Sequence, residues 1–190
     1  MPYLWKIPSD YPELLIGKYE RNISPDRFNF LKGKEVLDNK TLPVITFNAK
    51  SSELNQYDVL SNSSMIPLVS NKVITFLRNE LVKEIQFIDV ELKTSDGSLT
   101  GYKLLNATEK VFCIDKDKSE YDFVPGTKQI MSFSKLYYKN NCMLGYSIAR
   151  DGEYCSNLLV SELLSKKMIS LKLKGLSLYL PEDWIDQNIS

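Results

Sequence analysis

The segment CIDKDKSEY, residues 113–121, holds the side chains of this sequence that are best suited to chemistry. Asp115, Asp117 and Ser119 occupy the first, third and fifth positions of a calcium-binding EF-hand loop. Such a loop needs glycine at its sixth position and a bidentate carboxylate at its twelfth, whereas this chain has Glu120 and a glycine there. The calcium hypothesis fails at both positions, so we expect a solvated, charged turn after a strand and no bound metal.

The same segment is also the nearest cluster of groups for acid–base chemistry. Asp115, Asp117, Glu120 and Tyr121 would suit a carboxylate-based enzyme or a protein that binds a small ligand. Either function would require a concave pocket in which two carboxyl groups have raised pKa values.

The chain contains no histidine, and this absence removes several kinds of catalytic site. Serine–histidine and cysteine–histidine relays and histidine zinc sites all need imidazole. The Gly-Lys pair in FLKGKEV, residues 30–36, lacks the upstream glycine and the following Ser or Thr of a phosphate-binding loop. We therefore expect no cofactor.

The charge balance and the cysteines indicate which partners and which cellular compartment to expect. The 24 basic and 24 acidic residues give a net charge of zero, so neither nucleic acid nor a membrane is an expected partner. No apolar run is long enough to cross a bilayer, and the first residues do not resemble a signal peptide. Cys113, Cys142 and Cys155 are scattered and odd in number, which is typical of reduced thiols rather than a disulfide frame. We expect a cytoplasmic protein.

Two segments have the spacing of amphipathic helices that begin at a serine. Ser70 is placed to cap the first helix with its hydroxyl group, and Ser161 is placed to cap the second, ELLSKKMI. The apolar residues after the first serine share one helical face: Val73, Ile74, Leu77 and Leu81.

Much of the remaining sequence alternates as β-strands do. The pattern predicts an antiparallel meander over residues 84–115 with a tight turn at Asp96-Gly97, and a second turn at Asp151-Gly152. These elements predict an α+β fold, a mostly antiparallel sheet with two or three capped helices.

The signal is weaker near the N-terminus. Residues 1–62 contain short, irregular pieces, with one clear strand in LPVITFN, residues 42–48. We therefore expect an irregular N-terminal lobe over residues 1–62, packed on a main α+β domain over residues 63–190.

One short phrase occurs twice. Leu68-Val69-Ser70 returns as Leu159-Val160-Ser161, 91 residues later. At that offset, residues 68–90 and 159–181 share their apolar pattern better than their identities, and each predicts a strand, a serine, a helix and a strand. A true duplication and the ordinary recurrence of a capped helix both fit. A serine that opens a helix stabilises it and performs no reaction.

Several single residues along 65–184 follow one another in a recognisable order. They are Ser70, Tyr102 and Asn106, Asp115 and Ser119, Arg150 and Gly152, Val160 and Ser161, and Gly175 and Leu176. In this order and spacing, the chain resembles a bacterial immunity-protein family. That family, formerly a domain of unknown function, takes its name from a myxobacterial immunity protein of polymorphic-toxin systems.

The resemblance implies a non-enzymatic protein that binds a cognate toxin domain in the cytoplasm and neutralises it. Because recognition residues concentrate on loops of a rigid scaffold, we expect partner contacts at the two charged turns. The residues expected to make them are Asp115, Asp117, Glu120, Tyr121, Arg150 and Asp151.

Overall fold

A computed structural model of the protein describes residues 1–37 and 41–184. In these ranges the chain forms fifteen β-strands and three α-helices. The strands are β1 (Tyr3–Lys6), β2 (Lys18–Tyr19), β3 (Val44–Thr46), β4 (Val59–Leu60), β5 (Leu68–Ser70), β6 (Ile85–Ile88), β7 (Glu91–Thr94), β8 (Gly97–Leu99), β9 (Tyr102–Ala107), β10 (Lys110–Val111), β11 (Glu120–Phe123), β12 (Ile130–Lys135), β13 (Ile148–Asp151), β14 (Leu158–Val160) and β15 (Ser177–Tyr179). The helices are α1 (Ser51–Leu54), α2 (Asn71–Asn79) and α3 (Glu162–Ser170), with 3₁₀ turns at Glu13–Leu15, Arg27–Leu31 and Pro181–Asp183.

These strands pair into four sheets. The largest has the order β10-β13-β14-β1-β15, two four-stranded sheets have the orders β4-β5-β9-β6 and β2-β3-β7-β8, and β11 pairs with β12 alone. Only the β3–β7 and β10–β13 pairs among the described strands are parallel. The expected α+β class with mostly antiparallel pairing is confirmed.

The two Leu-Val-Ser units occupy equivalent places in two sheets. β5 and β14 each lie between the preceding strand, β4 or β13, and a second antiparallel strand, β9 or β1. That second strand also pairs with the strand that follows the helix, β6 or β15. The orders β4-β5-β9-β6 and β13-β14-β1-β15 therefore correspond strand for strand.

The pairing register keeps the offset of 91 residues on both sides of the helix. The pairs are Leu68–Leu104 and Ile88–Leu104 in one sheet, and Leu159–Leu4 and Tyr179–Leu4 in the other. A slip of one residue would turn the buried face of a strand outward. Two unrelated units would therefore rarely share the same register by chance. The shared register favours duplication over chance recurrence.

β1 occupies in the second unit the place that β9 occupies in the first. It lies between β14 and β15, and its residues Leu4 and Trp5 are buried. β3 likewise pairs with β7, and β4 with β5. The division at residue 62 stays a prediction, but this pairing across it leads us to expect one folding unit.

The two serines differ in how they meet their helices. Ser161 Oγ accepts a hydrogen bond from Leu164 N at 3.4 Å, as predicted. The Ser70 hydroxyl makes no such bond, and its oxygen is buried without a partner. Ser70 stands at the predicted N-cap position, but the predicted hydrogen bond to its hydroxyl group is wrong. The first helical N–H, on Asn71, donates to the Gly101 carbonyl.

The first helix also ends earlier than its apolar pattern predicts. Val73, Ile74 and Leu77 are buried, but Leu81 is 76% exposed. The helix ends at Asn79, and Leu81, with a φ of +55°, lies beyond it. Leu81 therefore does not continue the helical face on which the sequence placed it.

The segment predicted as one meander is divided among three sheets, and its last strand, β10, pairs with β13. β6 pairs with β9, while β7 and β8 form the hairpin predicted at Asp96-Gly97. β7 also pairs in parallel with β3. Local alternation cannot reveal a pairing with a strand more than forty residues earlier, which places β6 and β7 in different sheets.

No helix within the described ranges is both long and apolar enough to span a membrane.

Candidate functional site

The charged segment 113–121 forms a turn that is fixed to the segment directly after β12. Asp115 N donates to the Tyr137 carbonyl at 2.8 Å, and the Asp115 carbonyl accepts from Lys118 N and Ser119 N. The Ser119 hydroxyl donates to Tyr137 O at 3.2 Å and accepts from Tyr137 N at 2.9 Å. These bonds hold the turn in a defined position on the surface.

Most charges of this turn are paired at the surface. The ion pairs are Asp115–Lys118 at 3.3 Å, Lys116–Glu153 at 2.6 Å and Glu120–Lys135 at 2.6 Å. Asp117 is exposed and has no ion-pair or hydrogen-bond partner within the described ranges. Because exposed pairs of this kind contribute little stability, they can be exchanged for pairs with another protein.

Apolar side chains lie beside these charges on the β11–β12 hairpin. The Tyr121 ring contacts those of Phe123 and Phe133, with centroids 5.4 and 5.9 Å away. Phe123 and Met131 are each 50% exposed. Exposed aromatic and methionine side chains within a polar rim are typical of protein interfaces.

The enzymatic alternative gains no support at this cluster. The hydrogen bond from Lys135 lowers the pKa of Glu120, whereas acid–base catalysis requires raised carboxyl pKa values. None of Asp115, Asp117, Glu120 and Tyr121 lines either of the two cavities described below.

Arg150 and Asp151 do not lie on an exposed turn. They are the last residues of β13, between β10 and β14, and their side chains are 1% and 0% exposed. Both side chains therefore lie away from the exposed surface, and their contact with a partner stays a prediction.

Asp151 is held by three hydrogen bonds. Tyr138 Oη donates to Oδ2 at 2.8 Å, and the backbone N–H groups of Glu153 and Tyr154 donate to Oδ1 at 2.9 and 3.3 Å. Burial is the main cause that raises the pKa of Asp151 to about 6. Burial, followed by the Asp151 charge, raises the pKa of Tyr138 well above its ordinary value.

Arg150 is less well satisfied than its neighbour. Nη1 donates to the Cys155 carbonyl at 3.4 Å, while Nε and Nη2 are buried and have no hydrogen-bond partner among the described residues. Burial lowers the pKa of Arg150 to about 10, which still leaves it cationic at neutral pH. Arg150 is thus a buried cation that makes a single long hydrogen bond.

Two cavities meet at Arg150. The large cavity, about 720 Å³, lies between β1 and β14 on one side and the residues after β4 on the other, and includes Trp5, Ser61 and Leu158. The basic cavity, about 440 Å³, is lined by Phe28, Leu31, Lys32, Lys34, Lys110, Arg150, Asp151, Gly152 and Cys155. Among the residues that the structure describes, Arg150 alone lines both.

The cysteines correct an expectation. Cys113 and Cys142 form a disulfide with their Cα atoms 5.1 Å apart, and Cys155 is free. The prediction of three reduced thiols is therefore wrong. The bond forms because Lys139 N donates to the Cys113 carbonyl, which brings the chain after β12 beside Cys113.

The part of the chain that the structure describes contains no candidate metal centre. No group of three or more His, Cys, Asp or Glu side chains is placed there to hold an ion.

Sequence reasoning missed Lys110, which lines the basic cavity beside Arg150, and Tyr138, which donates to Asp151. It assigned Arg150 to the charged turn at Asp151-Gly152, although Arg150 is in phase with the apolar Ile148 two residues earlier. Such an arginine points to the core face of the strand.

Fold and surface together describe an α+β protein whose exposed hairpin suits contact with another protein. A family model of the Immunity protein family (Imm11) matches residues 9–182, and the chain belongs to this family. The match extends well into the N-terminal segment, beyond the residues 65–184 that carried the resemblance. A search of curated proteins found no match.

Proposed function

We propose that this protein is an immunity protein that binds a cognate toxin domain in the cytoplasm and neutralises it by covering its surface. The observation that carries the proposal is the family match over residues 9–182. Inhibition of this kind needs a surface of complementary shape and charge, and it needs no catalytic group. The chain itself is therefore expected to catalyse no reaction.

The proposed contact is the charged hairpin surface, defined by Asp117, Glu120, Tyr121, Phe123 and Met131. Asp117 lacks a partner within the described ranges, and the Glu120–Lys135 pair is exposed on both sides. Phe123 and Met131, each 50% exposed, provide apolar area on the same hairpin. Such a surface offers apolar contacts for affinity and charges for selection among toxins.

Asp115 has a supporting role in this surface. Its carboxylate pairs with Lys118 at 3.3 Å, and its carbonyl accepts two backbone hydrogen bonds that close the turn. A turn held in this way is pre-organised, so little conformational entropy is lost when a partner binds it.

The direct test is protection of cells. Toxin domains encoded beside this gene would be expressed alone and together with the full chain, and the expected result is survival only with co-expression. Purified chain and toxin domain should also form a stable complex. If no neighbouring domain is toxic, or if the chain neither binds nor protects against a toxic one, the proposal is wrong.

A further inference from the structure

Arg150 is buried and has no acidic partner within the described ranges. Its side chain is 1% exposed, Nε and Nη2 have no hydrogen-bond partner, and Nη1 makes one bond of 3.4 Å. Burying a charge without a partner is unfavourable, and apolar side chains often replace buried charges without loss of stability. A ligand that supplies the missing negative charge accounts for an arginine at this position.

Lys110 places a second positive charge beside Arg150. The two residues pair in register between the parallel strands β10 and β13, so their side chains leave the same face of the sheet as neighbours. Lys110 has no hydrogen bond or ion pair within the described ranges. Like charges on facing residues repel each other, and an anion between them would remove this repulsion.

Lys32 and Lys34 complete the basic cavity from the N-terminal segment. Gly33, with a φ of +58°, lets this segment approach β10 so closely that an added Cβ would lie 2.7 Å from Lys110 Cβ. The Lys34 carbonyl also accepts from Asn106 Nδ2 at 3.0 Å. The backbone that carries both lysines is therefore fixed against the strand that carries Lys110.

The basic cavity suits an anion better than the large one does. Of the described residues, four cationic side chains and one carboxyl group, that of Asp151, line it. In the large cavity Lys6 and Arg150 are accompanied by Asp183, and Lys6 already donates to Asn157 Oδ1 at 2.7 Å. The excess of positive charge is thus concentrated on the side of Lys110.

We propose that the basic cavity binds a small anion, with the Arg150 guanidinium anchoring its phosphate or carboxylate group and Lys34 and Lys110 pairing with the remaining oxygens. A guanidinium offers parallel N–H donors that match two oxygens of such a group. The cavity, about 440 Å³, has the size of a small-molecule site. It shares no residue with the charged hairpin surface, so the proposal does not depend on toxin binding.

Titration of the full chain with sodium phosphate tests the site. The arginine side-chain Nε–H signals would be followed by NMR and the heat of binding by calorimetry, with sodium chloride at equal ionic strength as the reference. The expected result is a saturable shift of one arginine signal, which is missing in Arg150→Met. A parallel titration with acetate separates a phosphate site from a carboxylate site.

Variants locate the anion. Arg150→Met should abolish binding, while Lys34→Ala and Lys110→Met should each weaken it about two- to fivefold, the effect of one partly exposed ion pair. Lys128→Ala removes the same charge from a residue that lines neither cavity and should leave binding unchanged. Arg150→Met should also keep the unfolding midpoint of the wild type, because it removes an unpaired charge.

Three results would overturn the proposal. One is the absence of a saturable response to either anion, and another is a response that Lys34→Ala and Lys110→Met both retain at full strength. The third is binding that is lost only when Ser156→Trp fills the large cavity. If Arg150→Met fails to fold, the two lysine variants decide the matter.

Discussion

The Tyr138 hydroxyl donates a hydrogen bond of 2.8 Å to Asp151 Oδ2, and both side chains are buried. Burial raises the pKa of Asp151 from 3.8 to about 6, so in that interval the native state binds a proton that the unfolded chain has released. By linkage, the contribution of this carboxyl group to stability is fully present below about pH 4 and is lost as the pH rises through about 6.

Asp151→Asn removes this titration while keeping a side chain of the same shape. The free energy of unfolding of the wild type should fall relative to that of the variant by up to about 3 kcal/mol between pH 4 and pH 7. Urea unfolding at a series of pH values measures the difference, and Asp117→Asn is the exposed control. A difference between wild type and Asp151→Asn that does not vary with pH would contradict the buried, protonated carboxyl group.

The Cys113–Cys142 disulfide closes a loop over a sequence separation of 29 residues. Replacing both cysteines by serine should lower the free energy of unfolding by about 2–4 kcal/mol, because the unfolded chain regains the freedom that the bond removes. Cys155→Ser is the matched control and should change it by less than about 1 kcal/mol.

Thiol counting checks the same bond chemically. Alkylation of protein purified without reductant should modify Cys155 alone once the chain is unfolded, and all three cysteines after treatment with dithiothreitol. Three modified cysteines without reductant would show that the bond is absent from the isolated protein. The cytoplasm keeps thiols reduced. Counting the free thiols of the protein in freshly lysed cells therefore tests whether it resides in the cytoplasm.

Gly175 allows a close approach that no other residue type permits. An added Cβ would lie 2.0 Å from the Val59 carbonyl oxygen, and the φ is +91°. Gly175→Ala should therefore lower the free energy of unfolding by more than about 3 kcal/mol. Gly126 also has a positive φ but no atom within 4 Å of an added Cβ, so Gly126→Ala should cost about 1 kcal/mol. Equal losses in the two variants, measured by urea unfolding, would rule out the clash.

Charge-reversal variants test whether a toxin binds the charged hairpin surface, separately from whether the protein neutralises a toxin at all. Asp117→Lys and Glu120→Lys should each weaken toxin binding by about tenfold and slow association, because complementary charges steer the encounter. Glu13→Lys makes the same change at an exposed residue of the N-terminal segment and should have no effect. If surface plasmon resonance gives unchanged rates for both hairpin variants, the toxin binds elsewhere.

The main domain predicted from the sequence should not fold by itself. A fragment of residues 63–190 lacks β1, which lies between β14 and β15, and β3, which pairs with β7. We expect the fragment to lack a cooperative unfolding transition, and addition of a peptide of residues 1–62 to restore one. A fragment that unfolds cooperatively without the peptide would establish residues 63–190 as an independent domain.

Much of the local structure could be predicted from the sequence. The serines and apolar spacing predicted α2 and α3, and Asp96-Gly97 predicted the β7–β8 hairpin, because helix periodicity and turn chemistry are local properties. The insertion of β1 and the parallel pairing of β3 with β7 could not be predicted. They depend on register between distant segments, which local patterns do not record.

The surroundings of Arg150 were also harder to predict, because they depend on contacts between distant segments. Arg150 was recognised in sequence but interpreted as a turn residue, because the Asp-Gly pair that follows it is a turn signal. Its neighbour Lys110 lies forty residues earlier and comes beside it only through the parallel β10–β13 pair. Cys113 and Cys142 meet through the contact between Cys113 and Lys139, which no cysteine spacing reveals.

Calorimetric titration of the purified full chain with the toxin domain encoded beside its gene tests the account most directly. We predict saturable binding at one chain per toxin domain, together with loss of toxin activity at the same ratio. Toxin that is neutralised by a small fraction of an equivalent of this chain, or that is recovered chemically altered, would show an enzyme instead of an inhibitor. Absence of binding would remove the proposed function.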